Sequence, residues 1–93
     1  MAGLAGSVPF VYRAQGMAQG EVPFDSKWLR HAAKQCPNES IFHSLLARHN
    51  FERCQYGDAR DCLVEAIKRE TNPQEKATLE SELREVMTLG SGD

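Results

Sequence analysis

The sequence predicts an all-α protein: a small antiparallel helical bundle or helical-hairpin array of about four helices, preceded by an extended Gly/Pro-containing N-terminal arm. Three features carry this expectation. From residue 25 onward, apolar residues recur at spacings of three and four, the period of one helical face. Each periodic run is opened by a capping residue and closed by glycine or proline. The connections between runs are about two residues long, which leaves antiparallel neighbours. The 93 residues allow one domain with a single modest core.

Residues 1–24 hold four of the seven glycines and two of the four prolines, with only Arg13 and Glu21 charged. That composition predicts an extended or flexible arm and no helix, with a short strand around Val8–Tyr12 as the alternative. The arm also carries Val8, Phe10, Val11, Tyr12, Val22 and Phe24, which is too apolar for a solvated tail. It is therefore expected to lie against the helical body or against a partner.

The helical domain is expected over residues 25–89. Asp25 or Ser26 opens a first run, Trp28, Leu29, Ala32, Ala33 and Cys36, which Pro37 ends. Asn38 is placed to cap a second run of Ile41, Phe42, Leu45 and Leu46, continued by His49. Phe51 and Cys54 leave that stripe, so this helix is either buried on two sides or bent near Asn50, with Gly57 as its stop. Asp58 then caps the cleanest amphipathic run, Ala59, Cys62, Leu63, Ala66 and Ile67. Val64 lies off that stripe and matters only if it joins Phe51 or Tyr56 in a patch. Thr71 or Asn72, with Pro73 at a permitted first-turn position, opens a last run of Leu79, Leu83, Val86 and Met87. That run stops at Gly90, and residues 90–93 are expected to fray. Lys76, Glu80 and Arg84 are spaced for i,i+4 pairs along it. The expected core draws on Trp28, Leu29, Phe42, Leu45, Leu46, Leu63, Ile67, Leu79 and Leu83.

Eleven basic against 13 acidic residues, a net charge of −2, do not suit an electrostatic nucleic-acid binder. The balance is uneven along the chain. Residues 50–93 carry ten acids against six bases, net −4, whereas residues 25–49 carry +2. Lys27, Arg30, His31 and Lys34 form a basic stripe on the first helix of the body.

No phosphate-cradling glycine loop, GxSxG, HExxH or calcium-loop pattern occurs, so an enzyme is not expected, and neither is a cofactor. His31, Cys36, His49, Cys54 and Cys62 lack the spacing of a zinc knuckle, and no metal site is assigned. A nucleophilic pair of His43 or His49 with Cys54 needs hydrogen-bond reach and an orienting group that the spacing does not supply. The tetratricopeptide pattern also fails. With Gly57-Asp58 at a mid-repeat turn, Arg53 and Arg69 fall where tyrosine and alanine belong, and no second repeat follows.

These readings predict a non-catalytic protein–protein interaction subunit, a small helical adaptor or scaffold component that docks on a larger protein through its arm and one helical face. The expected partner-binding residues are Phe10, Val11, Tyr12, Phe24, Lys27, Arg30, Lys34, Phe51 and Tyr56. A self-associating homodimer completed by the two-sided second helix is the alternative, and a Cys/His-based redox or metal-linked accessory protein is the third reading. An odd cysteine count, no membrane-spanning run and no secretory signal place the chain in the cytoplasm or nucleus, with organelle import as the other destination.

Overall fold

Among the described residues five helices follow one another: α1 (Ala2–Ala18), α2 (Ser26–Gln35), α3 (Ile41–Glu52), α4 (Tyr56–Arg69) and α5 (Pro73–Ser91). This computed structural model describes the backbone of residues 2–91 and the side chains of residues 8–90, and no strand occurs among the described residues. Gly92 and Asp93 of the expected frayed tail lie outside them, and α5 runs through Gly90 to Ser91. The all-α class stands, with five helices where about four were expected.

The additional helix is the main correction, because the expected arm, and its alternative strand at Val8–Tyr12, are both replaced by α1. Composition alone argued against it, since glycine costs up to about 1 kcal/mol in a helix and proline removes a donor. Packing overrides those penalties. Phe10, Val11, Ala14 and Met17 recur at helical spacing and meet the first hydrophobic core, where Ala14 is fully buried. Pro9 stands immediately before this packed stretch. The helix ends in a Schellman turn: Glu21 N–H donates to the Gly16 carbonyl at 2.8 Å and Gly20 N–H to Met17 at 3.2 Å. Gly20 takes the left-handed conformation this turn requires, φ 80°. The chain then folds back so closely that a Cβ on Gly16 would stand 2.6 Å from Val22 Cγ2.

The other boundaries follow the capping chemistry with three differences. Asp25 caps α2 by accepting from Trp28 N–H at 3.1 Å. Asn72 caps α5 by accepting from Gln74 N–H at 2.9 Å, with Pro73 as the first helical residue. Asn38, however, caps nothing. α3 starts after Ser40, whose hydroxyl donates instead to Glu70 Oε1 at 2.7 Å. Nor does Gly57 end α3 or Asp58 cap α4, since both lie within the first turn of α4, whose N-cap position is Gln55. The stop is Cys54, at φ 61°. There Gln55 N–H reaches the Asn50 carbonyl at 2.8 Å and Cys54 N–H the Phe51 carbonyl at 3.0 Å, the bond pattern usually built around glycine.

The array is drawn out, 48 × 28 × 21 Å, and its described residues form two hydrophobic clusters. The first joins α1, α2 and the leading half of α3 around Leu29, Ala32, Phe42, Leu45 and Leu46. The second joins the trailing half of α3 to α4 and α5 around Ala47, Ala59, Leu63, Ala66, Leu79 and Val86. Cys62 packs against both. The two-sided apolar pattern of α3 is thereby satisfied inside one chain. Of the expected core, Trp28, Ile67 and Leu83 are half-buried and the other six residues are buried. Met87, the last residue of the expected α5 stripe, is 52% exposed.

A polar clasp joins the two clusters at one edge. Arg69 Nε donates to the Pro37 carbonyl at 2.5 Å and its Nη1 to Glu65 Oε1 at 2.7 Å, tying the α2–α3 turn to the last turn of α4. His43 lies against this clasp: burial, and then the Arg69 charge, push its imidazole below the ordinary range, while Glu65 pulls the other way.

Candidate partner-binding cleft

Two sets of three consecutive helices share α3. In α1–α2–α3 the outer pair, α1 and α3, pack on each other as well as on α2, so the set is closed. In α3–α4–α5 the outer helices each pack along α4 without packing along each other. Small residues at Ala47, Ala59 and Ala66 bring these backbones close to α4. The space left between α3 and α5 is a cleft.

Its floor is Leu63 of α4, its walls are Ala47 and Phe51 of α3 and Val86 of α5, and its volume is about 110 Å³. Arg48 stands on the α3 rim, with Glu82 and Glu85 on the α5 rim. All three charged residues are exposed. The ion pairs formed among the described residues are on α4, Arg60–Asp61, Lys68–Glu65 and Arg69–Glu65, and none crosses the cleft. A site of this size is well below the roughly 300 Å³ at which small-molecule and cofactor pockets begin, and suits inserted side chains. At its end, Phe51 meets Tyr56 edge to face with ring centroids 5.7 Å apart. Tyr56 also borders a broader, mixed depression with Arg60, Met87 and Gly90.

The nine residues assigned to partner binding from sequence do not form one surface. Phe10 stacks on Trp28 with centroids 5.9 Å apart, and Val11 packs beside it against the first core. Both belong to the closed set of helices. Tyr12, on the same helix, is 77% exposed. Phe24 lies flat on His49 at 4.4 Å. Lys27, Arg30 and Lys34 are exposed along α2, as is His31, and Arg13 sits over the Trp28 ring at 4.6 Å. Phe51 and Tyr56 are at the other end, at the cleft. Ala47, Arg48, Glu82, Glu85 and Val86 were missed. Their signal was present in the i,i+4 pair Ala47 and Phe51, which leaves the main α3 stripe, and in two acids one turn apart beside Val86.

The cysteines are dispersed. All three are free. Burial raises the Cys36 thiol above its ordinary range, with Glu39 adding to it. Burial also raises the Cys62 thiol, opposed by the Asn50 amide, which donates to its sulfur at 3.7 Å. Cys54 is exposed, and its hydrogen bond to Tyr56 raises the phenol above its ordinary range. His49 has Phe24 against its ring and Arg53 Nη1 3.5 Å from its Nε2. Among the described residues no three His, Cys, Asp or Glu side chains converge on a metal-binding geometry, and no helix is long and apolar enough to cross a membrane. No family model matches this chain, and no curated protein or solved structure matches it significantly.

Proposed function

We propose that this protein is a non-catalytic interaction subunit, a small helical adaptor that docks on a larger protein through the cleft between α3 and α5. The observation that carries this reading is the difference in closure. The same helix, α3, is roofed by α1 over its leading half and left open toward α5 over its trailing half, where Phe51 and Leu63 border an apolar hollow. An apolar hollow with a charged rim is the usual anatomy of an interface that takes anchor side chains. The arm expected to reach a partner is largely used internally as α1, so the helical face becomes the docking element. The homodimer reading rested on the two-sided apolar pattern of α3, which neighbouring helices of the same chain already cover.

The test is hydrogen exchange on the tagged chain, free and in whatever stoichiometric complex it forms in native extract. Protection on complex formation is expected at residues 47–51 and 82–86. A chain recovered only as a free monomer, or protection confined to α1 and α2, would overturn the reading.

A further inference from the structure

Resting on that docking reading, we infer that the occupant of the cleft is an amphipathic helix of another protein, with an apolar stripe flanked by lysine or arginine on the edge that faces α5. The closed half of the molecule supplies the template. There α1 lies along α3 and presents Phe10, Val11, Ala14 and Met17, an apolar stripe at helical spacing, to the core. On the open half, Ala47, Phe51, Leu63 and Val86 leave room for anchors of the same kind, with no helix of this chain laid between α3 and α5.

The rim charges set the edge chemistry. Glu82 and Glu85 are three residues apart, so their carboxylates rise about one turn apart on the same side of α5. Both are exposed, and no cation of this chain pairs with either among the described residues. Arg48 on the facing rim marks the opposite edge as the place for an acid. A helix with cations on one edge and acids on the other then fits in one direction only, because turning it end for end sets Lys against Arg48 and Glu against Glu82. Glu75 and Glu80 are also exposed on α5, which disfavours a polyanion or an anionic lipid surface at this site. A second copy of the chain is a poor match. α2 carries the suitable cations, Lys27, Arg30 and Lys34, but its apolar residues Leu29 and Ala32 are buried in its own core.

The test uses two labelled synthetic 18-residue helices on the full chain, read by fluorescence anisotropy. Both carry leucines at i, i+3, i+4, i+7 and i+11 and glutamine on one flank; the other flank is lysine in one probe and glutamate in the other. The lysine probe is expected to bind about threefold more tightly than the glutamate probe, the scale of one exposed charge pair, because the glutamate probe can turn end for end and meet Arg48; the difference should shrink as salt is raised. The doubly substituted Glu82→Lys/Glu85→Lys chain, altered only at exposed positions, should invert the preference. The Lys27→Glu/Lys34→Glu chain should keep it. An unchanged preference in the Glu82→Lys/Glu85→Lys chain overturns the inference, and so does loss of the preference in the α2 variant. A wild-type dimer in sedimentation that Glu82→Lys/Glu85→Lys separates would make the occupant a second copy. If native complex formation protects the cleft but neither probe binds, the docking reading survives and this occupant falls. If the probes behave as expected but no native complex protects residues 47–51 and 82–86, the docking reading falls instead.

Discussion

The two halves of α3 bear different structures with the same helix. Its leading half gives Phe42, Leu45 and Leu46 to a core shared with α1 and α2, and Phe42 has no exposed surface at all. Its trailing half gives Ala47 and a half-buried Phe51 to a core shared with α4 and α5, and there the outer helices stay apart. Side-chain size and charge explain the contrast. Large apolar residues on α3 meet Ala14 and Met17 of α1, and the gap fills. Where α3 instead offers alanine and arginine toward the two glutamates of α5, closing the gap would desolvate three charged rim residues, a cost that opposes the burial of Phe51 and Val86. An open cleft is what that composition stabilises.

The contrast can be broken most severely by removing residues 1–24. Because α1 is part of the first core, the shortened chain is expected to lose cooperative thermal unfolding followed by circular dichroism; a chain that still unfolds cooperatively at an unchanged temperature would show that α1 closes nothing. Next comes a matched pair on α3. Phe42→Ala in the closed half should cost about 3–5 kcal/mol in urea unfolding. Phe51→Ala at the open cleft should cost only about 1–2 kcal/mol, since the side chain is half-buried. Equal costs would mean that the two halves are packed alike.

Gly16→Ala tests how tightly the chain doubles back over α1. The new methyl would sit 2.6 Å from Val22 Cγ2, so overpacking of about 1–2 kcal/mol is expected, with Val22→Ala recovering most of it in the double variant. Cys54→Gly should stabilise by about 1 kcal/mol, because a non-glycine residue held at φ 61° is strained. The smallest effect is the pH response of the clasp between the halves. His43 titrates below its ordinary value of about 6.5 when folded, first because it is buried and second because Arg69 is near. As pH falls below that ordinary value, the unfolded chain takes up the proton first. The His43 contribution is therefore complete above about 6.5 and is lost as pH falls through the folded value. The urea midpoint is expected to be lower at pH 5.5 than at pH 7.5, and His43→Gln should flatten the difference. Glu65 titrates below its ordinary range, chiefly through hydrogen bonds from Arg69 and then Lys68, so its contribution is lost only at more acidic pH.

Much of the fold was legible along the chain because its signals are local. The caps at Asp25 and Asn72, the stop at Cys36-Pro37 and the stripe Ala59, Leu63 and Ala66 all depend on residues within a turn or two of each other. The misreadings have a common cause. α1 was missed because its glycines and Pro9 disfavour an isolated helix, whereas burial of Ala14 and Met17 stabilises one only after α2 and α3 are in place. The α3 stop was assigned to Gly57 because a left-handed cysteine carries no composition signal. The cleft was half legible. Phe51 and Tyr56 could be singled out, but Glu82 and Glu85 gain their meaning only opposite Arg48, more than thirty residues away.

The sequence by itself therefore determined the helical class, four of the five helices, most of the core and the charge division between a basic first helix of the body and an acidic last one. Periodicity, capping and charge are properties of neighbours in the chain. Only the tertiary structure decided that the glycine-rich first segment is a helix and that α3 is shared between two cores. It alone decided that the second core stays open, because those outcomes rest on contacts between residues far apart in sequence, whose energies exceed the local preferences they override.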